Sequence, residues 1–179
     1  IPPEKCELVP KGVDSAPIEE SRQALREEMG LRPREKVILS VGRLALEKGH
    51  EDLLRAFAQV AREMSSVRLV LVGDGPQGPA LRRLSADLEL NGEVTFAGTQ
   101  REVARWLAAA DLVVQPSRRE GLPLAVLEAM GQGVPVIATR VGDLEALISD
   151  AEQGHLVPPE DPPALAGKML EVLRNSDRQ

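Results

Sequence analysis

The chain has one cysteine, Cys6, and two histidines, His50 and His155, among 179 residues. A single cysteine excludes an internal disulfide and any cysteine-based metal site. The two histidines stand far apart in sequence and form no metal-ligand spacing. No apolar run approaches the roughly 18 residues that a membrane-spanning helix needs, and no secretory signal opens the chain. These absences lead to the expectation of a cytoplasmic protein. An excess of positive charge is lacking too. Lys and Arg number 22 against 28 Asp and Glu, for a net charge of −6. No nucleic-acid partner is expected, and any anionic ligand must be held by a local cluster of cations. An initiator Met is also missing from the opening IPPEKCELVPKG, which therefore reads as the start of a fragment.

What is present is ordinary for a soluble domain: 42% hydrophobic and 28% charged residues. The length fits one domain over residues 1–179, enough to bury a single core. There is no internal repeat, low-complexity tract or linker. With Gly and Pro as punctuation, strands and helices alternate. Strands are expected at 6–12, 36–41, 67–73, 93–98, 111–116, 134–139 and 155–158. Helices are expected at 18–30, 50–64, 79–90, 101–110, 123–132, 144–149 and 163–175. The strands are apolar at nearly every position, as in parallel sheets covered on both faces. The fold class is therefore α/β: a Rossmann-like, doubly wound parallel sheet with helices on both faces. Ligands of such sheets sit beyond the carboxyl ends of the strands, so the loops there carry the candidate residues.

After the strand at 36–41, Gly42-Arg43 and Lys48 place two cations before a helix N-terminus, where a phosphate can be gripped. The spacing is not a P-loop, and by itself the loop reads more readily as solvated surface charge than as a phosphate site. The loop after 67–73 contains Gly73-x-Gly75-x-x-Gly78 between strand and helix. Pro76 and Pro79 flank the helix start, and no acidic residue ends the next strand to hold a ribose. A tight turn with close backbone approach is favoured there over a dinucleotide site. His50 is read as a surface cap, His155 as structural, Asp74 as a turn residue and Trp106 as core.

The third loop reads REGLPLAVLEAM over 119–130. Pro123 suits a first helical turn, and Gly121 lets backbone approach a ligand. Free N–H groups near Gly121, Leu122 and Leu124 then face an anion. Glu128 lies about one and a half turns into a helix that is apolar nearly all round, hence expected to be largely buried. A buried carboxylate needs a donor partner. Either two ribose hydroxyls supply it, or Glu128 lies on a wet stripe with Gln132. Glu120, beside Arg118 and Arg119, is open to a surface ion-pair reading.

In order along the chain, PPEKCELVPKGVD, VGRLALEKGHEDLLRAF, LVGDGP, FAGTQREVARWLAAADLVVQPS, EGLPLAVLEAMGQGVPVIATRVG and GHLVPPEDPPALA resemble the donor-binding half of GT-B glycosyltransferases, in retaining family 4, also called group 1. The most specific segment is Glu120-x7-Glu128 within Glu-Gly-Leu-Pro…Leu-Glu-Ala-Met. The resemblance implies a sugar-nucleotide-binding domain, with an N-terminal acceptor domain belonging to the parent enzyme. It implies a nucleoside diphosphate sugar as donor, with a UDP-sugar favoured, and a glycan, lipid-linked or small-molecule acceptor. It further implies peripheral membrane association of the full-length protein, no cofactor and no metal, in keeping with the absence of Asp-x-Asp. Arg43 and Lys48 correspond to the cations that hold the diphosphate leaving group. Glu120 corresponds to the residue that binds the transferred sugar, and these three form the catalytic set. Glu128 corresponds to the ribose acceptor, with backbone at Gly42, Gly121, Leu122 and Leu124 near the diphosphate and ribose. Gly98, Thr99 and Gln100 correspond to the base edge. Lys11 stands in place of the family's usual Asn, and Asp143 and Ala146 depart from its Val-Gly-Gly-x-Pro-Glu. A sugar-nucleotide epimerase on the same fold and a dinucleotide-binding regulatory module are the alternatives.

Overall fold

The computed structural model describes Val13 and residues 18–90, 92–148 and 154–175. The strand expected at 6–12 lies outside these residues. Six strands form one parallel sheet: β1 (Lys36–Val41), β2 (Val67–Val72), β3 (Val94–Gly98), β4 (Leu112–Gln115), β5 (Val136–Thr139) and β6 (His155–Val157). Their order is β3-β2-β1-β4-β5-β6. The doubly wound α/β class read from the sequence is the one observed.

The order follows from two physical rules. Parallel strands need a helical crossover, and crossovers are right-handed. From β1 the chain moves outward through α2 (His50–Glu63) and α3 (Gly78–Asp87) to β2 and β3. It then returns past β1 and moves the other way through α4 (Val103–Ala109), α5 (Leu124–Gly131) and α6 (Leu144–Leu147). Reversing direction with the same hand puts the second set of helices on the opposite face. Two cores result. Ile38, Leu69, Leu71, Leu112 and Val114 pack against Leu53, Phe57 and Val60 of α2 and against α7 (Pro162–Asn175). Val37, Leu39, Val70, Val72 and Val113 point the other way, against Leu107, Val126 and Ala129, and against Leu25 of α1 (Arg22–Glu28). This alternation along β1 makes both faces apolar, as its sequence KVILSV requires.

Local chemistry sets the helix ends. Ser21 caps α1 by accepting from the Ala24 N–H at 3.2 Å, which shortens the expected helix at its start. Asp161 does the same for α7, accepting from the Ala164 N–H at 3.0 Å, with Pro162 in the first turn. In α2, Leu53, Leu54, Phe57 and Val60 recur at helical spacing, and Glu51 and Asp52 sit at the positive end of the dipole. The extended backbone of Met64 ends it.

A buried ionic junction ties α1 to the sheet. Asp111 Oδ2 accepts from the Val37 N–H at 2.6 Å and from Arg26 Nη2. Arg26 is 6% exposed and also donates to the carbonyls of Ala109 and Glu35. Removing the carboxylate leaves a buried guanidinium without its counter-charge. Asp111→Ala is therefore expected to destabilise the fold by about 3–5 kcal/mol, read as a lower urea midpoint. A loss below about 1 kcal/mol would show that the junction contributes no more than a surface pair.

Candidate functional site

The sheet order reverses between β1 and β4, so the loops leaving these strands diverge and open a crevice at their carboxyl ends. That crevice holds a cleft of about 770 Å³, within the usual range for ligand sites. Its walls include Gly42 and Lys48 from the β1 loop, Gln115 from the end of β4, Glu120 from the loop after it, and Leu122, Leu124 and Glu128 from the start and face of α5.

The loops stay in place because their backbones touch. An added Cβ at Gly49 would lie 2.0 Å from the Pro116 carbonyl oxygen, and one at Gly142 would lie 2.0 Å from that of Glu120. Gly49 and Gly142 also have φ of +66° and +58°, a region that L side chains rarely enter. The N–H groups of Arg118 and Arg119 both donate to the Glu47 carbonyl, at 2.8 and 3.2 Å. This fixes the 3-10 turn Leu46–Lys48, which the sequence reading did not find, against the loop after β4. Arg118 reinforces the join with a bidentate pair to Asp52 in α2, at 2.9 and 3.1 Å. Glu120 is thus not paired with its arginine neighbours, as the surface reading had it.

Glu120 instead faces Lys48. Its Oε2 accepts from Lys48 Nζ at 2.6 Å, Ser117 Oγ at 2.9 Å and Gln115 Nε2 at 3.1 Å. Ser117 and Gln115 are buried, and the Glu120 side chain is 11% exposed. No described residue partners Glu120 Oε1. Glu128 is half-buried on the cleft wall and likewise lacks a side-chain partner among the described residues. Gln132, one turn further on, shares that wall. The polar stripe of Glu128 and Gln132 therefore lies on the cleft wall. This placement also explains why α5 is not largely buried, contrary to expectation. Only Val126 and Ala129 are fully enclosed, and Leu124 is 43% exposed at the rim.

Other sequence-read positions fall around this centre. The Arg43 side chain is 66% exposed, with a loose 3.8 Å approach to Glu47. It does not reach the cleft wall, so Lys48 is the cation beside Glu120. Gly121 is exposed at the turn before α5. Gly98, Thr99 and Gln100 stand back from the cleft, Gln100 donating to the Ala97 carbonyl at 2.6 Å. The wall on that side is made by Arg101 to Ala104 instead. Gln115, Gln132 and Ile18 line the cleft and were not singled out as ligand-facing from the sequence. Gln115 had one available signal, a carboxamide ending an otherwise apolar strand. Trp106 packs against the second core. Asp74 is a turn residue, accepting from the Gly75 N–H at 2.7 Å.

The glycine-rich loop after β2 is used for packing. A Cβ at Gly73 would lie 2.0 Å from the Gly42 carbonyl oxygen, and one at Gly75 would lie 2.5 Å from that of Leu44. The Leu44 and Gln77 N–H groups stitch the two loops through the carbonyls of Asp74 and Leu44. The lack of a side chain at these two glycines serves the packing of one loop on the other. A second cavity, of about 190 Å³, lies beyond the 3-10 turn against Leu46, Leu81 and Leu84. Its one carboxylate, Glu51, is paired with Arg55 at 2.9 Å. Among the described residues, no three of His, Cys, Asp and Glu converge to hold a metal ion. No helix among them is long and apolar enough to cross a membrane.

Comparison with known proteins decides the family. Residues 35–175 match the model for glycosyl transferases group 1. The chain belongs to this family. A curated relative, the N-acetyl-alpha-D-glucosaminyl L-malate synthase of Bacillus anthracis, is 33% identical over 86% of this chain and 40% of its own length. Anabaena Alr3699/HepE, solved in complex with UDP and glucose, superposes with a TM-score of 0.88 at 26% identity. The match covers 97% of this chain and 49% of that one. The C-terminal domain of the group 1 glycosyl transferase LpcC from Francisella tularensis, solved by itself, superposes with a TM-score of 0.81 at 26% identity. Here the match covers 93% of this chain and 90% of that domain. The present group 1 chain thus has the GT-B half-fold and spans about 40% of the length of the curated relative.

His50, expected as a surface cap, is 3% exposed at the first position of α2, and its Nδ1 has no partner. Burial, aided by the nearby Lys48 charge, lowers its pKa to about 4 from the ordinary 6.5. Neutral His50 contributes no penalty above about pH 6.5. Below that, the unfolded chain binds the proton and the folded chain resists it, so stability falls with pH down to about 4. The loss reaches roughly 3 kcal/mol. Between about pH 6.5 and pH 4, the thermal midpoint of wild type is expected to fall more steeply than that of His50→Gln. Parallel profiles would mean that His50 takes up its proton as readily in the fold as in the unfolded chain.

Proposed function

We propose that this domain binds the donor of a retaining glycosyltransferase, a nucleoside diphosphate sugar, with a UDP-sugar favoured. The observation that carries the reading is the placing of both acids of Glu120-x7-Glu128 on one cleft at the β1/β4 switch point. Each keeps acceptor capacity that no described residue uses. A donor supplies the matching groups: hydroxyls on the sugar and ribose, and a diphosphate between them.

Glu120 accepts from the transferred sugar's hydroxyls, and Glu128 from the ribose. Lys48 keeps one N–H on Glu120 and turns the others to the diphosphate. Arg43 joins it from the exposed end of the same loop by a side-chain rotation. The amides at Gly121, Leu122 and Leu124 precede or open α5, whose first N–H groups have no intrahelical acceptor. Gly42 gives the diphosphate close backbone approach, and Arg101, on the cleft wall, meets the base, with Gly98, Thr99 and Gln100 behind it. In the transfer, the bond from the anomeric carbon to the phosphate oxygen breaks and its electron pair passes to the departing nucleotide. The acceptor oxygen bonds to the anomeric carbon on the same face, and its proton passes to the departing phosphate. The cations stabilise the charge developing on that phosphate.

The Anabaena structure with UDP and glucose supports a UDP-sugar. The parent enzyme carries a second, N-terminal domain for the acceptor, which is a glycan, a lipid-linked sugar or a small molecule. The full-length protein is cytoplasmic, with peripheral membrane contact. The isolated domain binds donor weakly and transfers little or nothing.

Calorimetric titration with UDP, GDP, ADP and NAD tests the reading. UDP or GDP is expected to bind, and Glu128→Ala to weaken that binding by about 1–3 kcal/mol, the scale of a hydrogen bond to a charged group. Tight NAD binding that Glu128→Ala leaves unchanged would contradict it, and would return the Gly73 loop to consideration.

A further inference from the structure

Gln115 is out of keeping with its strand. All four residues of β4, LVVQ, are buried, and a leucine would complete the apolar run. A carboxamide ends it instead, 3% exposed and lining the cleft. Its Nε2 donates to Ser117 Oγ at 2.8 Å and to Glu120 Oε2 at 3.1 Å. An ionised carboxylate only accepts, so the amide nitrogen must face Glu120 and the carbonyl oxygen must turn away. That Oε1 is buried and has no partner. An unpaired buried carbonyl lowers stability. Folding alone does not favour glutamine here.

The surrounding bonds show what the amide does. Ser117 is fully buried, and its Oγ donates to the same Glu120 oxygen at 2.9 Å. Thr139, at the end of β5, donates to the Ser117 carbonyl and so braces the loop from the next strand. Lys48 completes the set. Among the described residues, three donors converge on Oε2 and none on Oε1.

We infer that Gln115 is a positioning residue for the transferred sugar. With Ser117, it saturates Glu120 Oε2 and locks the carboxylate's rotamer, so Oε1 is held at a fixed place for a sugar hydroxyl. The inference rests on the reading of Glu120 as the residue that binds the sugar. It assigns Gln115 to recognition of the sugar and not of the nucleotide.

The test compares wild type, Gln115→Leu and Gln115→Glu, titrated with UDP, UDP-glucose and UDP-N-acetylglucosamine. Leucine replaces the amide with an apolar group of similar shape and removes the unpaired oxygen. Gln115→Leu is expected to keep the thermal midpoint equal or higher and the UDP affinity within about twofold. Its affinity for the better-bound sugar nucleotide falls about five- to tenfold relative to UDP. In Gln115→Glu, two carboxyl groups meet at the 3.1 Å contact and share one proton. The sugar-dependent affinity is then lost near about pH 8 and returns towards about pH 5.

An unmoved ratio of sugar-nucleotide to UDP affinity in Gln115→Leu overturns the assignment and leaves donor binding standing. A parallel loss for all three probes, or a marked fall in thermal midpoint, also overturns it, because either marks a general structural role. A wild-type chain that binds none of the three sinks the donor reading and this assignment together.

Discussion

The Lys48–Glu120 contact joins the two loops that diverge from the centre of the sheet. Its partners come from β1's loop and from the end of β4, the neighbouring strands at which the chain reverses its winding. At 2.6 Å, with side chains 22% and 11% exposed, it is shielded from solvent more than a surface pair. Partial burial makes the carboxylate's other donors important, since an ion taken from water must recover its hydrogen bonds. Ser117 and Gln115 supply them. The cleft's shape depends on this knot, and the knot depends on glycines where backbones cross. Gly49 and Gly142 have no room for a side chain, so the loops cannot drift apart without breaking main-chain contacts.

The same physics separates the two glycine-rich features of the chain. Gly73 and Gly75 lie against the carbonyls of Gly42 and Leu44, and their lack of a side chain is used by the protein itself. Gly121 has nothing within 4 Å of an added Cβ and is exposed beside the cleft. One loop is filled and the other is open, although both read as glycine turns at strand ends. In a chain with a net charge of −6, the larger cleft brings together a cation, a helix start and two carboxylates with acceptor capacity that no described residue uses. Such a place suits a ligand that carries both an anionic centre and hydroxyls.

Most of the architecture was legible because it rests on local patterns. KVILSV read as a strand over the residues that form β1, and reversal of winding follows from strand order and handedness. Several site features depend on tertiary position and were not legible. An apolar helix reads as buried, yet α5 turns part of its apolar surface to a cleft that exists only once β1 and β4 splay apart. His50 looked like a cap because it opens a helix, but the 3-10 turn before it folds that helix start inward. Arg43 and Lys48 looked equivalent in sequence, whereas the turn between them sends one to solvent and the other to Glu120. Glu128 was balanced between a ligand contact and a wet stripe with Gln132, and both residues lie on the cleft wall, a placement that periodicity alone does not give.

Donor docking at the β1/β4 crevice is tested most directly by an amide-resolved NMR titration of the chain with UDP. The related LpcC domain, solved by itself, shows that a fold of this kind stands alone. Docking at the crevice gives saturable shifts at Gly42, Lys48, Gly121, Leu122, Leu124 and Glu128, with Gly73, Gly75 and Gly78 little moved. Shifts centred on the Gly73–Gly78 turn, or no saturable shifts at all, would contradict it.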